Sequence, residues 1–378
     1  MNPIYLDHAA ATPLDAEVLA AMQPYFSAQF YNPSAVYGAA QRVSKDLQAA
    51  RASVAQVIGA RPVEVTFTAG GTEANNLAIH GVMSRFPAAN MVVSGIEHDS
   101  VLGPAAQYTY KLARVNEQGV VDIPALRALV DDQTALISVM YANNEIGTVQ
   151  PVRDISNLVA EIRKDRRARD VAMPLYIHTD AAQAGNYLDI HVSRLGVDLM
   201  TLNGGKVYGP KQSGILFAKS GMQLQPLVYG GGQEHNLRSG TENVAGCIGL
   251  ATALQKAQAT RGEEGRRLQD LQAYFIDQLQ ARIPTIVING SLKKRLPNNL
   301  HITIPGTDNE RLLFGLDEKG IMAAAGSACS ASNDEPSHVL TALGISDELA
   351  RASLRFSMGR ETTREQLDRV VATLSTLI

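Results

Sequence analysis

Asp180 and Lys206 are the residues whose types and setting could do chemistry. Asp180 follows a short apolar run, Leu175 to Ile177, within Thr179-Asp180-Ala181-Ala182-Gln183. Lys206 follows a second run, Val197 to Leu202, through Asn203-Gly204-Gly205. Each run is short and bounded by small residues, which is the pattern of a buried strand. A carboxylate therefore leaves the end of one strand and an amine the end of the other, with room beside the lysine for a flat ligand. The pair suits pyridoxal phosphate, which needs a lysine for its Schiff base and a carboxylate for its pyridinium nitrogen. An ordinary ion pair at a sheet edge would give the same pattern.

Other stretches carry polar residues directly after predicted strands, where α/β sheets bind ligands. Gly70-Gly71-Thr72 lies between a strand and a helix, so its backbone N–H groups and the Thr72 hydroxyl suit a phosphate. A tight turn with a capping threonine is the competing reading. Glu97-His98-Asp99-Ser100 offers an imidazole for stacking or proton transfer, or else a helix start capped by Asp99 or Ser100. Asn143-Asn144-Glu145-Ile146-Gly147 is either a ligand edge or an Asn/Gly turn. Arg355 stands between apolar neighbours and needs a partner, either a substrate carboxylate or an internal Asp or Glu. Cys329, flanked by Ala and Ser, is a candidate nucleophile, whereas Cys247 lies in an apolar helical pattern and reads as structural. No Cys or His spacing suggests a metal site.

The elements that must position these groups follow from the rest of the chain. Its 378 residues, net charge of −3 and 45% hydrophobic content fit a globular enzyme of two domains. They do not suggest nucleic-acid binding, and no apolar run is long enough to span a membrane. Two cysteines and an N-terminus without an apolar leader point to a reducing cytoplasm. Residues 1 to 14 read as irregular, and a helix is expected from Asp15 to Phe26. Strands are expected at 64–68, 91–94, 112–115, 135–140, 175–178, 198–202 and 213–217, with helices at 39–58, 74–83, 100–110, 124–130 and about 155–169 between them. This alternation predicts an α/β domain with a mostly parallel sheet, 15–255. The basic cluster from Arg163 to Arg169 reads as a solvated helix end. A long helix from Val244 to Arg282, broken near Gly262, leads into a smaller α+β domain made of 256–378 with 1–14. Strands near 285–289, 299–304 and 352–357 and helices near 309–318 and 363–377 belong to it.

In their order and joint presence these stretches resemble the cysteine desulfurases of the NifS/IscS type, group I, within the class V aminotransferases. The resemblance runs from Tyr5-Leu6-Asp7-His8 and Asn32-Pro33-Ser34 through Arg238-Ser239-Gly240-Thr241-Glu242-Asn243 to Gly326-Ser327-Ala328-Cys329-Ser330. It implies the pyridoxal-phosphate-dependent fold type I, with a large mixed-sheet domain and a smaller α+β domain. It also implies roles. Lys206 would hold the cofactor and move the Cα proton, Asp180 would face the ring nitrogen, and Gln183 the ring hydroxyl. His98 would stack on the ring and serve in acid–base steps. Gly71, Thr72 and Asn203 would hold the phosphate, joined by Thr241 from the second subunit of a homodimer. Asn144, Arg355 and Asn32 would bind the substrate carboxylate. Cys329 would take sulfur from L-cysteine as a persulfide, leaving L-alanine, for an acceptor such as an iron–sulfur scaffold or a tRNA-thiolation factor.

One departure stands out. Family members usually carry Ser-x-His-Lys at the lysine, and this chain has Asn203-Gly204-Gly205-Lys206. Loss of one donor to the phosphate is worth about 1.5–3 kcal/mol, so weaker cofactor retention is expected. A selenocysteine lyase on the same scaffold and a cofactor-poor partner protein are the alternative readings.

Overall fold

Short apolar strands leave their backbone N–H and C=O groups unpaired until they meet one another. In the computed structural model, which describes residues 3–326 and 336–378, they do so in one seven-stranded sheet. Across it lie Val65–Thr68, Gly214–Ala218, Leu199–Asn203, Tyr176–Asp180, Thr134–Ser138, Asn90–Ser94 and Thr109–Ala113. Only Gly214–Ala218 runs against its neighbours, so the other six strands end at the same edge. Asn90–Ser94 and Thr134–Ser138 are buried along their whole length, and Tyr176–Asp180 and Leu199–Asn203 at all but one end residue. Helices covering both faces of the sheet require this, and it explains why these strands read as continuous apolar runs.

A three-stranded sheet of Ser353–Ser357, Asn299–Thr303 and Val287–Ile288 carries a second core with Phe275, Phe356 and Leu316. Ile4–Tyr5, expected to be irregular, pairs in parallel with Ile321–Met322 and brings Ile4 and Leu6 into that core. One helix, Val244–Arg282, joins the two halves. Its Leu250, Leu254 and Ala257 sit in the first core, and its Leu268, Phe275 and Leu279 in the second. The expected break at Gly262 is absent. An interior glycine costs about 1 kcal/mol, and burying one Leu or Phe side chain returns roughly 1.5–3 kcal/mol.

Smaller corrections have local causes. The helix expected at 100–110 spans only Asp99–Ala105, with Pro104 in its last turn, and Thr109–Ala113 is already a strand. The helix expected from 15 to 26 divides at Pro24 into Ala16–Met22 and Pro24–Ser27. The basic helix end is solvated as expected at Lys164, Arg167 and Arg169, and it is also tied down by specific partners. Arg163 bonds Asp198, Arg169 bonds Asp132 and Asp165, and buried Arg166 donates to the carbonyls of Asp131, Thr134 and Met173.

Candidate active site

Asp180 ends the strand Tyr176–Asp180 and is 7% exposed. Its Oδ2 accepts from Asn75 Nδ2 at 2.7 Å and its Oδ1 from the Ala182 N–H at 2.8 Å. Asn75 comes from the helix Gly71–Met83, and its second amide proton goes to Ser100 Oγ at 2.8 Å. Both carboxylate oxygens are thus held from behind, which fixes the direction of the charge.

Lys206 follows Leu199–Asn203 through a single tight turn, Gly204–Lys206. The Asn203 side chain accepts from the Gly205 N–H at 3.0 Å. Gly204 has no alternative residue, because a Cβ there would lie 2.1 Å from Ser213 Oγ and 2.9 Å from Pro210 O. The Lys206 ammonium donates to the carbonyls of Ala9 and Ala10 at 2.8 and 2.5 Å. Ala9 O also accepts from Gln183 Nε2 at 3.0 Å, so the N-terminal segment forms a wall of the site.

His98 caps the helix Asp99–Ala105, in place of the expected Asp99 or Ser100, and it also lines the site. Its Nδ1 accepts from the Ser100 N–H at 3.0 Å, which leaves the neutral ring's proton on Nε2. Next to it Glu97 is fully buried, and burial pushes its carboxyl up to about 8. Its Oε1 accepts from Met140 N–H at 2.7 Å and from Ser94 Oγ at 2.5 Å, and its Oε2 has no partner among the described residues.

Arg355 is 1% exposed and finds the internal acid that the sequence allowed for. Nη2 meets Asp7 Oδ1 at 2.6 Å and Nη1 meets Asn144 O at 3.2 Å, while Nε is buried without a partner among the described residues. The Asn143 side chain builds the turn, accepting from the Glu145 and Ile146 N–H groups, and Asn144 beside it lines the site.

Lys206, Asp180, His98, Gln183, Asn144 and Arg355 meet around one cavity of ≈ 200 Å³ at the shared strand edge. Gly71, Thr72 and Asn203 stand at its end, where no side chain caps the helix Gly71–Met83. Thr72 is not the cap expected of it; Gly70 is, at φ 128°. Asn32 and Thr241 are exposed and are not among the walls. The loop carrying Thr241 is anchored by a buried pair in which Arg51 bonds both oxygens of Glu234, at 2.6 and 2.7 Å. Cys329 lies outside the described residues. Cys247 is buried, and burial pushes its thiol up, out of reach of nucleophilic chemistry. Sequence reasoning missed Asn75, Ser100 and Asp7. Ser100 and Asp7 stand in quoted stretches and Asn75 in the helix expected at 74–83, but nothing local signals a contact made 105 or 348 residues away.

The model of the family aminotransferase class-V matches residues 4–370. The cysteine desulfurase IscS of Dictyoglomus turgidum is 39% identical over 99% of this chain and 94% of its own length. That of Methanosarcina thermophila is 40% identical over 99% and 92%. Among solved structures, a NifS-like protein from Rickettsia africae superposes with a TM-score of 0.88 at 29% identity, covering 100% of this chain and 99% of that one. SspA in complex with cysteine gives 0.78 at 32% identity over 94% and 98%.

Proposed function

The chain belongs to the class V aminotransferases and, within them, to the cysteine desulfurases, and from that premise we propose that it moves sulfur from L-cysteine to Cys329. The products are L-alanine and a persulfide on the Cys329 sulfur. Atoms balance without an outside oxidant, since the substrate loses one sulfur and the enzyme thiol gains it. The observation that carries this reading is the meeting of Lys206, Asp180, His98, Asn144 and Arg355 around one cavity, each from a different segment.

The residues present fit pyridoxal phosphate. An uncapped helix start at Gly71 with the Thr72 hydroxyl suits its phosphate, and the braced Asp180 carboxylate suits its ring nitrogen. When bound, that cofactor supplies an electron sink for the substrate Cα. The protein does the rest. Arg355 lines the cavity with a buried Nε that has no partner among the described residues, and with Asn144 it orients the substrate carboxylate. Lys206 Nζ, placed by the Ala9 and Ala10 carbonyls, takes and returns the Cα proton. His98 presents Nε2 for proton transfer while Ser100 fixes the ring through Nδ1. Cys329 accepts the sulfur and hands it to an acceptor protein, for which an iron–sulfur scaffold or a tRNA-thiolation factor has the required thiol or cluster chemistry.

The active form is a homodimer. Support comes from Phe26, Phe30 and Tyr37, which are 62%, 66% and 52% exposed in the single chain, and from Thr241 and Asn32, which face solvent. A cytoplasmic location rests on the sparse cysteines. Among the described residues, no helix is long and apolar enough to cross a membrane. The test is incubation of the pyridoxal-phosphate-loaded protein with L-cysteine. Alanine release and a mass gain of one sulfur on the peptide carrying Cys329 are expected, and both should vanish in Cys329→Ala. Alanine formed at an unchanged rate by Cys329→Ala would refute the sulfur-acceptor role.

A further inference from the structure

The cavity that holds Lys206 adjoins a second opening of ≈ 320 Å³, and Ala10, Gly71, Thr72, Asn203 and Lys206 line both. The second opening adds Gly205 and Lys211 to the walls. Its charged lining side chains are Lys206 and Lys211, with no carboxylate facing them from this wall. Lys206 is committed to the cofactor's aldehyde and to the Ala9 and Ala10 carbonyls, so Lys211 is the cation of this lining that a phosphate at the uncapped helix start would meet.

Lys211 is brought there by the turn that follows the strand of Lys206. Tyr208, at φ 60°, and Gln212, at φ 58°, take left-handed backbone on either side of Gly209 to Lys211 and fold the chain back beneath Gly205. A Cβ on Gly205 would lie 3.5 Å from Lys211 Cγ, so the missing side chain leaves the lysine stem an open course past this position. The only hydrogen bond the ammonium makes among the described residues is long, 3.4 Å to Thr12 O. The residue is exposed, so little opposes its turning toward the helix start.

We propose that Lys211 is a phosphate-binding residue of this chain, supplying across Gly205 the positive donor that the turn Asn203-Gly204-Gly205 itself lacks. This deepens the pyridoxal-phosphate reading and rests on it. Lys211 then offsets the weak retention expected from Gly205, and it acts on the phosphate alone, leaving the ring contacts to Asp180 and Gln183.

The test compares pyridoxal phosphate with pyridoxal, which has the ring and aldehyde but no phosphate, by spectral titration of the cofactor-free protein. Lys211→Gln should weaken pyridoxal phosphate roughly tenfold or more while pyridoxal binds as in the unsubstituted chain. Lys211→Arg should keep most of the affinity. An unchanged affinity in Lys211→Gln would overturn the proposal. So would equal weakening of both ligands, which marks a purely structural role, or an Arg variant as weak as the Gln one. If the unsubstituted chain takes up neither ligand, the cofactor reading fails as well, and the two failures are thereby distinguished.

Discussion

Asn75 reaches Asp180 across 2.7 Å and places its other amide proton on Ser100, leaving its own Oδ1 buried and unpartnered among the described residues. The contact makes Asn75 the brace of the carboxylate proposed for the cofactor's ring nitrogen. Asn75→Ala leaves Asp180 short of one donor, at a cost of about 1–3 kcal/mol. The expected result is a fall in kcat of at least about tenfold, read from alanine release. Asn75→Asp should be worse than Ala, because it sets a second carboxylate against the first. Equal damage from both would argue that only volume matters at this position.

Asp7 pairs with Arg355 behind the cavity wall. Arg355→Lys keeps the charge and loses the planar fork. KM for L-cysteine should rise tenfold or more, by order of magnitude, with a smaller effect on kcat. Asp7→Asn removes the counter-charge of a guanidinium that is 1% exposed, and should lower the melting temperature before it alters KM. A stable Asp7→Asn protein would show that Asn144 O alone satisfies the arginine.

Glu97 gives a pH signature. An unfolded glutamate ionises near 4.5 and the folded one near 8, so between those values the folded state keeps a proton that the unfolded state has released. Its contribution to stability is whole below 4.5 and declines as pH rises to about 8. The slope is at most about 1.4 kcal/mol per pH unit. Glu97→Gln cannot ionise and can still accept from Met140 and Ser94. Its melting temperature should therefore gain on the unsubstituted protein from pH 5 toward pH 8, by an order of a few °C. A constant gap across this range would show that Glu97 is ionised in the fold.

Phe30, in the exposed aromatic stretch offered as the dimer face, stacks on half-buried Tyr31 with ring centroids 4.6 Å apart. The double variant Phe26→Asp, Phe30→Asp should shift light-scattering mass from two chains to one. Cofactor affinity should fall with it, because Thr241 would lose its place on the second subunit. A variant that remains dimeric would put the interface elsewhere.

The sequence made the sheet edge legible because its signals are local. Tyr176–Asp180 and Leu199–Asn203 fall within about two residues of the runs that predicted them, and a ligand site at the ends of parallel strands follows from topology. What stayed hidden was long-range. Arg355 announced that it needed a partner, but nothing in Ser353-Leu354-Arg355 names Asp7. Ile4–Tyr5 is too short to show a strand period, and only its pairing with Ile321–Met322 makes it one. By sequence the lysine turn reads as a loss at Gly205. That view changes once the fold carries Lys211 round to the same wall.

The helix Val244–Arg282 is 39 residues long, about 58 Å at the usual rise. It acts as a splint through both cores, with one stretch of its backbone clamped at each end. Melting either core strips the packing from one stretch of the splint, and fraying the splint exposes Leu254 and Phe275 together. Heat should therefore dismantle the two halves in a single calorimetric step, and a chain cut between Ala257 and Leu268 should show two.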